Sequence, residues 1–579
     1  MKGAQPEYYI TRKMSSSTDD QALPLGSFSY LIPLYIAWRV WWANRMPLMD
    51  CDEVYNYWEP LHFLLFENGL QTWEYANQYA LRTYAYLAPL YAISKMLLPV
   101  IPSLPPSIWP LLQQVSGVTT PKVGLFLLLR ALLAGSMAVA ELSFVQALAK
   151  VPSGRVVSLV TAFLLLTCTG MSHASGALLP STTLTLLWLL GAAAYLQEQH
   201  VKFTILAVTA TLAIGWPFGC LLFVPLGLHV LMCEFQKGNI AKFVLSIIGI
   251  TAVIQSVVVA IDYFQYGKLV SPTWNIIMYN TKAGGDELYG IEPTSYYVKN
   301  LLLNFNLVAL GILALPLAFW GPRRHFLVVL LPMYVWLLVV VPRPHKEERF
   351  LFPIYPLLCL GAAILSGTVV NGTAKLFRKS ALSPQTSLII QLVLWIPAAV
   401  LSLSRTVALS KYYTAPLTIY AQLGNHVAVD TINATICTCG EWYRFPSSFY
   451  LPNNLHLNFV RSSFEGQLPA PFAEQGSGPN ENPNYVFNDH NRLEADRFTD
   501  IEDCDFLVDL FDSNCRENEG LWYPMAHAPF LDAIRTDTLH RTLYVPHLHE
   551  EALAHGGVEY VDYILYKKKE INEEETTKA

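Results

Sequence analysis

Apolar residues in this chain run together in blocks close to the length a bilayer demands, about 20 residues, from Phe28 to Arg405, and then the blocks stop. They predict helical spans at Phe28–Trp42, Val123–Leu148, Val156–Met171, Ala177–Leu196, Phe203–Ile214, Pro217–Cys233, Ala241–Ile261, Leu301–Trp320, Phe326–Val341, Leu351–Val369 and Ser387–Leu403. Gly215-Trp216-Pro217 breaks one long run into two. Leu87–Ile101 is short and flanked by prolines, which predicts a re-entrant or interfacial helix. The count comes to roughly 11 crossings.

After residue 407 polar residues return. Val427–Thr438 and Tyr560–Tyr566 alternate like strands, and Gly476–Asn484 is a Gly/Pro/Asn loop. The fold class expected is a polytopic α-helical membrane protein with a C-terminal mixed α/β domain, divided as an N-terminal tail 1–27, a membrane region 28–407 and a domain 408–579. Charge agrees: Asp, Glu, Lys and Arg make up 14% of the chain, against about 25% in soluble proteins. The net charge of −6, with no large basic tract, excludes nucleic acid as a partner.

Basic residues orient the spans. Lys150 with Arg155, Lys202, Lys237 with Lys242, Arg323 with Arg324, and Lys375, Arg378 and Lys379 fall in alternate loops. The positive-inside rule makes those loops and the N-terminus cytosolic. Loops 45–121, 262–300 and 342–350 and the whole tail then face the other side. Met1–Pro24 is polar, so the first span itself is expected to direct insertion. Two sequons test the arrangement: Asn433 should carry a glycan and Asn371 should not. Cys437, Cys439, Cys504 and Cys515 all lie in the tail, an even number that suits disulfides in an oxidising compartment, with the pairing left open. Cys51, Cys168, Cys220, Cys233 and Cys359 lie in or beside apolar stretches, as small hydrophobes do.

Two polar knots interrupt this pattern. In Asp50-Cys51-Asp52-Glu53, Asp50 and Glu53 have capping-box spacing for a helix over Val54–Leu65, which leaves Asp52 without a structural task. At helical spacing Asp52 shares a face with Asn56 and Glu59. A carboxylate partly desolvated at a membrane edge suits a general base. The second knot, Pro344-His345-Lys346-Glu347-Glu348-Arg349-Phe350, lies on the same expected side. Its plainer reading is loop charge meeting headgroups, but packed cations there also suit a lipid phosphate, and Arg82 could join them. Within a span, Arg130 could line the site, while Glu141 reads as a structural partner. A metal-chelating reading of Asp50-Cys51-Asp52 carries little weight, because it would need a nucleotide sugar on the lumenal side.

The segments MDCDEVYNYWEPLHF, QTWEY with RTYAY, PHKEERFLFPIYP and EWYRFPSSF resemble the dolichyl-phosphate-mannose-dependent α-mannosyltransferases, over a match reaching about residue 565. WEP and EWYRFPSSF point within that family to the α-1,2 enzymes, rather than to the α-1,6 or GPI-anchor relatives. The resemblance implies a GT-C fold in the endoplasmic reticulum membrane with the active site on the lumenal face. It implies mannose transfer from dolichyl-phosphate β-mannose to a dolichyl-diphosphate-linked oligosaccharide, at two stages of N-glycan precursor assembly. Because β becomes α, the reaction inverts and needs one base. The resemblance places that base at Asp52, with Asp50, Glu53, Glu59 and Glu74 supporting the acceptor site. It places His345, Lys346 and Arg349, and Arg82 less directly, on the donor phosphate. Cys437-Thr438-Cys439 departs from a one-cysteine pattern and suggests an extra bridge to Cys515. No cofactor or metal is expected. A transporter would keep its polar site near mid-bilayer and show repeats, and neither is found in this sequence.

Overall fold

The computed structural model describes residues 31–109, 120–281, 286–318, 326–378, 382–426, 434–473, 485–511, 515 and 519–569. The apolar blocks are largely helical in their described parts, with breaks at Cys168, before Pro180 and after Leu212. Among the described residues, six helices are long and apolar enough to cross a membrane: Pro121–Leu148, Pro217–Gln236, Ile240–Tyr266, Ser295–Leu317, Glu348–Phe377 and Pro384–Asn425. Shorter apolar helices cover Gly154–Thr167, Pro180–Leu196, His200–Leu212 and Leu327–Val340. Gly215 adopts a positive φ of +70° at the expected break. Leu87–Ile101 contains only the ten-residue helix Ala88–Leu97.

Burial sorts the helices. The strongest apolar window of Glu348–Phe377 is 89% buried, whereas that of Ile240–Tyr266 is 6% buried. The first is therefore the centre of the bundle and the second its lipid-facing flank. Close packing at the centre needs glycine: a Cβ on Gly361 would lie 2.2 Å from the Gly311 carbonyl oxygen. Glu141 pairs with Arg39 at 3.1 Å and accepts from the Tyr35 hydroxyl, all buried, so it joins the first helix to Pro121–Leu148. Arg130 does not line the cavity described below; it donates to the Met46 carbonyl, fixing the turn that leads to Asp50.

The expected boundary at residue 407 falls inside one helix, Pro384–Tyr412, which carries straight into the tail. The tail sheet has the order β3-β2-β5-β7-β6, from β2 (Ala434–Thr438), β3 (Leu455–Phe459), β5 (Phe506–Leu510), β6 (Trp522–Leu531) and β7 (Tyr560–Lys568). β2 runs parallel to β3 and β5, and β7 runs antiparallel to β5 and β6. Disulfides join Cys437 to Cys504 and Cys439 to Cys515, resolving the pairing. The strand expected over Val427–Thr438 is present from Ala434; Asn433 and the earlier part lie outside the described residues.

The tail is stapled to the loop after the first helix. β1 (Leu70–Gln71) pairs antiparallel with β4 (Ala470–Pro471) in the tail. Glu59, expected at the acceptor, is instead fully buried in this staple. Its carboxylate accepts from Leu70 N at 3.0 Å, Ser447 Oγ at 2.8 Å, Ser448 N at 2.6 Å and Ser448 Oγ at 2.8 Å. Gly69 beside it has φ +156°, and a Cβ there would sit 2.8 Å from the Glu59 carbonyl oxygen. Glu59→Ala would leave two buried backbone N–H groups without an acceptor, each costing roughly 1–3 kcal/mol. The thermal unfolding midpoint of the purified protein should fall by several degrees; an unchanged midpoint would remove the staple from the stability of the fold.

Candidate active site

Asp50 opens the helix at 51–66. Its extended backbone and side chain, accepting from Asp52 N at 2.9 Å, make it the N-cap. Glu53 does not complete a capping box. Its buried carboxylate accepts from Trp58 Nε1 and Leu178 N, both at 2.9 Å, and so ties this helix to the turn before Pro180. Val54–Trp58 is a π-helical turn. One extra residue in the turn rotates the remainder of the helix by about 100°. Asp52 and Asn56 therefore line the cavity while Glu59, in register with Asp52 on an unbroken α-helix, faces the tail.

The cavity measures about 420 Å³. Asp52, Asn56, Tyr57, Glu74 and Arg82 line it from the first loop, and Arg343, His345, Glu347 and Arg349 line it from the second knot. Trp73, Tyr279 and Tyr289 add an aromatic wall, and the tail supplies another through Trp442 and Phe464, whose rings are 4.5 Å apart. The knots, 297 residues apart, meet directly. Arg349 Nη2 donates to Asp52 Oδ2 at 2.5 Å, Nη1 to Asp50 Oδ1 at 3.0 Å, and the guanidinium also pairs with Glu347. Arg82 forms a bidentate pair with Glu74, at 3.0 and 2.7 Å, and donates to the Tyr57 hydroxyl at 2.8 Å. His345 Nε2 lies 3.0 Å from Glu347 Oε1. Lys346, expected on the donor phosphate, is buried outside the cavity and donates to the Glu292 and Arg343 carbonyls. Lys346 stands between His345 and Glu347, which both line the cavity, and its ammonium is held by the two carbonyls instead.

The two aspartates titrate apart. Burial pushes Asp50 up to about 7, with Glu347 and Asp52 adding and Arg349 opposing. Burial acts against the charge of Asp52 as well, but Arg349 and then Arg82 outweigh it and hold Asp52 below the ordinary aspartate range. Asp52 is thus the standing anion of the site, and its side chain is 36% exposed to the cavity. Burial works against charge on His345 too, yet the Glu347 contact raises its pKa. Among the described residues, Asp50, Cys51 and Asp52 bring three ligand atoms within 4.8 Å, the one grouping suited to a metal ion. Arg349 already holds both carboxylates, so a cation would have to displace it. Glu347 and Arg343 belong to the cavity although the motifs did not single them out; Glu347 lies inside the second knot, next to residues that were singled out. The tail aromatics gave no signal beyond the EWYRFPSSF segment that contains Trp442.

Fold and site together define a polytopic membrane protein with a cavity of paired carboxylates and cations beside its helix bundle, lined in part by a C-terminal α/β domain. The chain belongs to the Alg9-like mannosyltransferase family, whose model matches residues 30–452. It is 37% identical over 551 residues to alpha-1,2-mannosyltransferase ALG9 of Mus musculus, covering 90% of this chain and 86% of that one. It is 33% identical over 590 residues to alpha-1,2-mannosyltransferase ALG9 of Saccharomyces cerevisiae, covering 94% and 98%. Among solved structures it is similar to ArnT from Cupriavidus metallidurans bound to undecaprenyl phosphate, with a TM-score of 0.47 and 12% identity, covering 76% of this chain and 86% of that one. The family is the one the motifs led us to expect.

Asp50 ionises near 7 in the folded protein and at the ordinary 3.8 when unfolded. A raised folded value means this group contributes stability below about pH 4 that is lost as pH rises through about 7. Asn caps a helix as well as Asp does. Asp50→Asn should therefore raise the unfolding midpoint relative to wild type near pH 8 more than near pH 5, read by thermal scans at both. An equal offset at both values contradicts the assignment.

Proposed function

We propose that this chain is an inverting α-1,2-mannosyltransferase that moves mannose from dolichyl-phosphate β-mannose to the growing dolichyl-diphosphate-linked oligosaccharide, at two steps of N-glycan precursor assembly. The observation that carries the reading is the Asp52 carboxylate, kept ionised by Arg349 at the wall of a cavity that opens beside a membrane bundle. In the proposed step an acceptor 2-hydroxyl attacks the mannose anomeric carbon from the face opposite the phosphate. The bond from that carbon to the phosphate oxygen breaks, dolichyl phosphate leaves as an anion, and the hydroxyl proton passes to Asp52. A low pKa limits the strength of the base but guarantees its charge. A hydroxyl becomes acidic as its oxygen bonds to carbon, so late proton transfer to a weak base suffices. Arg82, Arg343, His345 and Arg349 line the same cavity as cationic or protonatable groups for the leaving phosphate. The aromatic faces of Trp73 and Trp442 suit sugar rings.

The site would face the lumen of the endoplasmic reticulum, with the N-terminus cytosolic. Supporting this, Arg349 lies in the 3-10 turn Glu348–Ile354 that leads into the helix Tyr355–Arg378, and this helix of 24 residues, about 36 Å long, ends on a basic stretch. The basic end suits the cytosol.

Asp52→Asn should fold and abolish transfer, with a loss of about 10²-fold or more. The assay uses a short-tailed dolichyl-phosphate-mannose analogue and defined acceptors, with the product identified by linkage-specific mannosidase digestion. A near wild-type rate would sink the base assignment, and transfer to an α-1,6 position would sink the linkage. For orientation, enzymatic deglycosylation should shift the mass of wild type but not of Asn433→Gln. A glycan on Asn371 would reverse the topology.

A further inference from the structure

One face of the tail carries large apolar side chains far from the sheet core. Ile534 is 95% exposed, Leu539 59%, Val545 41% and Leu548 49%. They lie in the segment after β6, which folds into the short helices Thr538–Thr542 and Pro546–Ala554. That segment is fixed in height against the helix Pro384–Tyr412. Tyr544 N donates to Ser404 O at 3.3 Å and Ser404 Oγ to Tyr544 O at 2.9 Å. Arg405 Nη1 donates to the carbonyls of Arg541 and Thr542, both at 3.2 Å.

The level of Ser404 is a boundary. Exposed apolar side chains run along this helix from Ile389 through Val393, Ile396 and Val400 to Leu403 and then end. Pro384 to Ser404 spans about 30 Å at 1.5 Å per residue, the thickness of a hydrocarbon core. Beyond it come aromatic rings with polar tips: Tyr412 lies 6.0 Å from Tyr544 and 6.2 Å from Tyr560. Lys411, exposed, donates to the Tyr544 hydroxyl at 2.9 Å. Tyrosine and lysine at the end of an apolar span mark the headgroup layer.

We propose that residues 534–548 form an interfacial anchor whose occupant is the bilayer itself, with Ile534, Leu539 and Val545 entering the edge of the acyl layer. The lipid-facing stripe of the spanning helix ends at Leu403, and the next two residues, Ser404 and Arg405, bond this segment, which selects lipid over a protein partner. The anchor fixes the height of the tail, and therefore of the Trp442 and Phe464 wall above the cavity. The inference does not depend on the reaction or on which side of the membrane the tail occupies.

The test uses the full-length protein in lipid nanodiscs with a spin label at Leu539→Cys or Ile534→Cys, after Cys220→Ser removes the exposed native thiol. The reference label is Tyr523→Cys on β6, 37% exposed and about 26 Å along the strand from its Leu531 end. Collision with oxygen, which enters lipid, is compared with collision with a water-soluble nickel chelate. Labels at 534 and 539 should favour oxygen several-fold over the label at 523. Equal ratios at all three positions overturn the proposal. Because all three side chains are exposed, the labelled proteins should keep the wild-type unfolding midpoint, and Leu539→Ser, with the label at 534 retained, should lower the oxygen preference there.

Discussion

Three carboxylates share one guanidinium, and the site is built on that shortage of positive charge. Asp50, Asp52 and Glu347 all reach Arg349, which is itself mostly enclosed. One cation cannot neutralise three anions, so the group with the poorest geometry gives way: Asp50 gains affinity for its proton and Asp52 loses it. This separates two chemically identical side chains two residues apart into a neutralisable cap and a permanent anion. Removing Arg349 would leave the carboxylates facing each other in a poorly solvated cleft, which is costlier than the pairing is favourable. The long sequence separation means that the pairing also registers the centre of the bundle against the loop after its first helix.

Around that pairing the supports are indirect. Arg130 sets the turn before Asp50, and Glu53 ties the site helix to Leu178. Glu59 ties its far end to the tail through Ser447 and Ser448. None of these three reaches the cavity, yet each positions part of its wall. The fully buried acids of the first loop, Glu53 and Glu59, are thus structural, whereas Asp52 faces the cavity.

The helices were legible because lipid imposes long apolar runs, and the two knots because charge at a membrane edge needs a reason. The direct contact of Asp52 with Arg349 was not legible, since nothing local announces a partner 297 residues away. Lys346 and Glu59 were misplaced for a shared cause. Residue type suggested a site, while local structure held them elsewhere: the π turn at Val54–Trp58 rotates Glu59 away, and the Glu292 and Arg343 carbonyls hold Lys346. The roof was hidden too: composition separates a polar tail from an apolar bundle, but the helix Pro384–Tyr412 and the β1–β4 pair make them continuous.

The π turn carries a consequence for how this segment can change length. Asp52 and Glu59 must point to different places, one into the cavity and one into the tail, and the surplus residue in Val54–Trp58 is what lets a single helix serve both. Wound as plain α-helix, the same seven steps would turn through about 700° and swing the two acids into line, keeping either the anion or the clasp but not both. Loss of one residue in the turn would instead leave six steps and about 600°, with each acid still on its own face. The turn is thus a reserve of one residue: the segment can be shortened there without turning either acid, but it cannot be straightened at constant length.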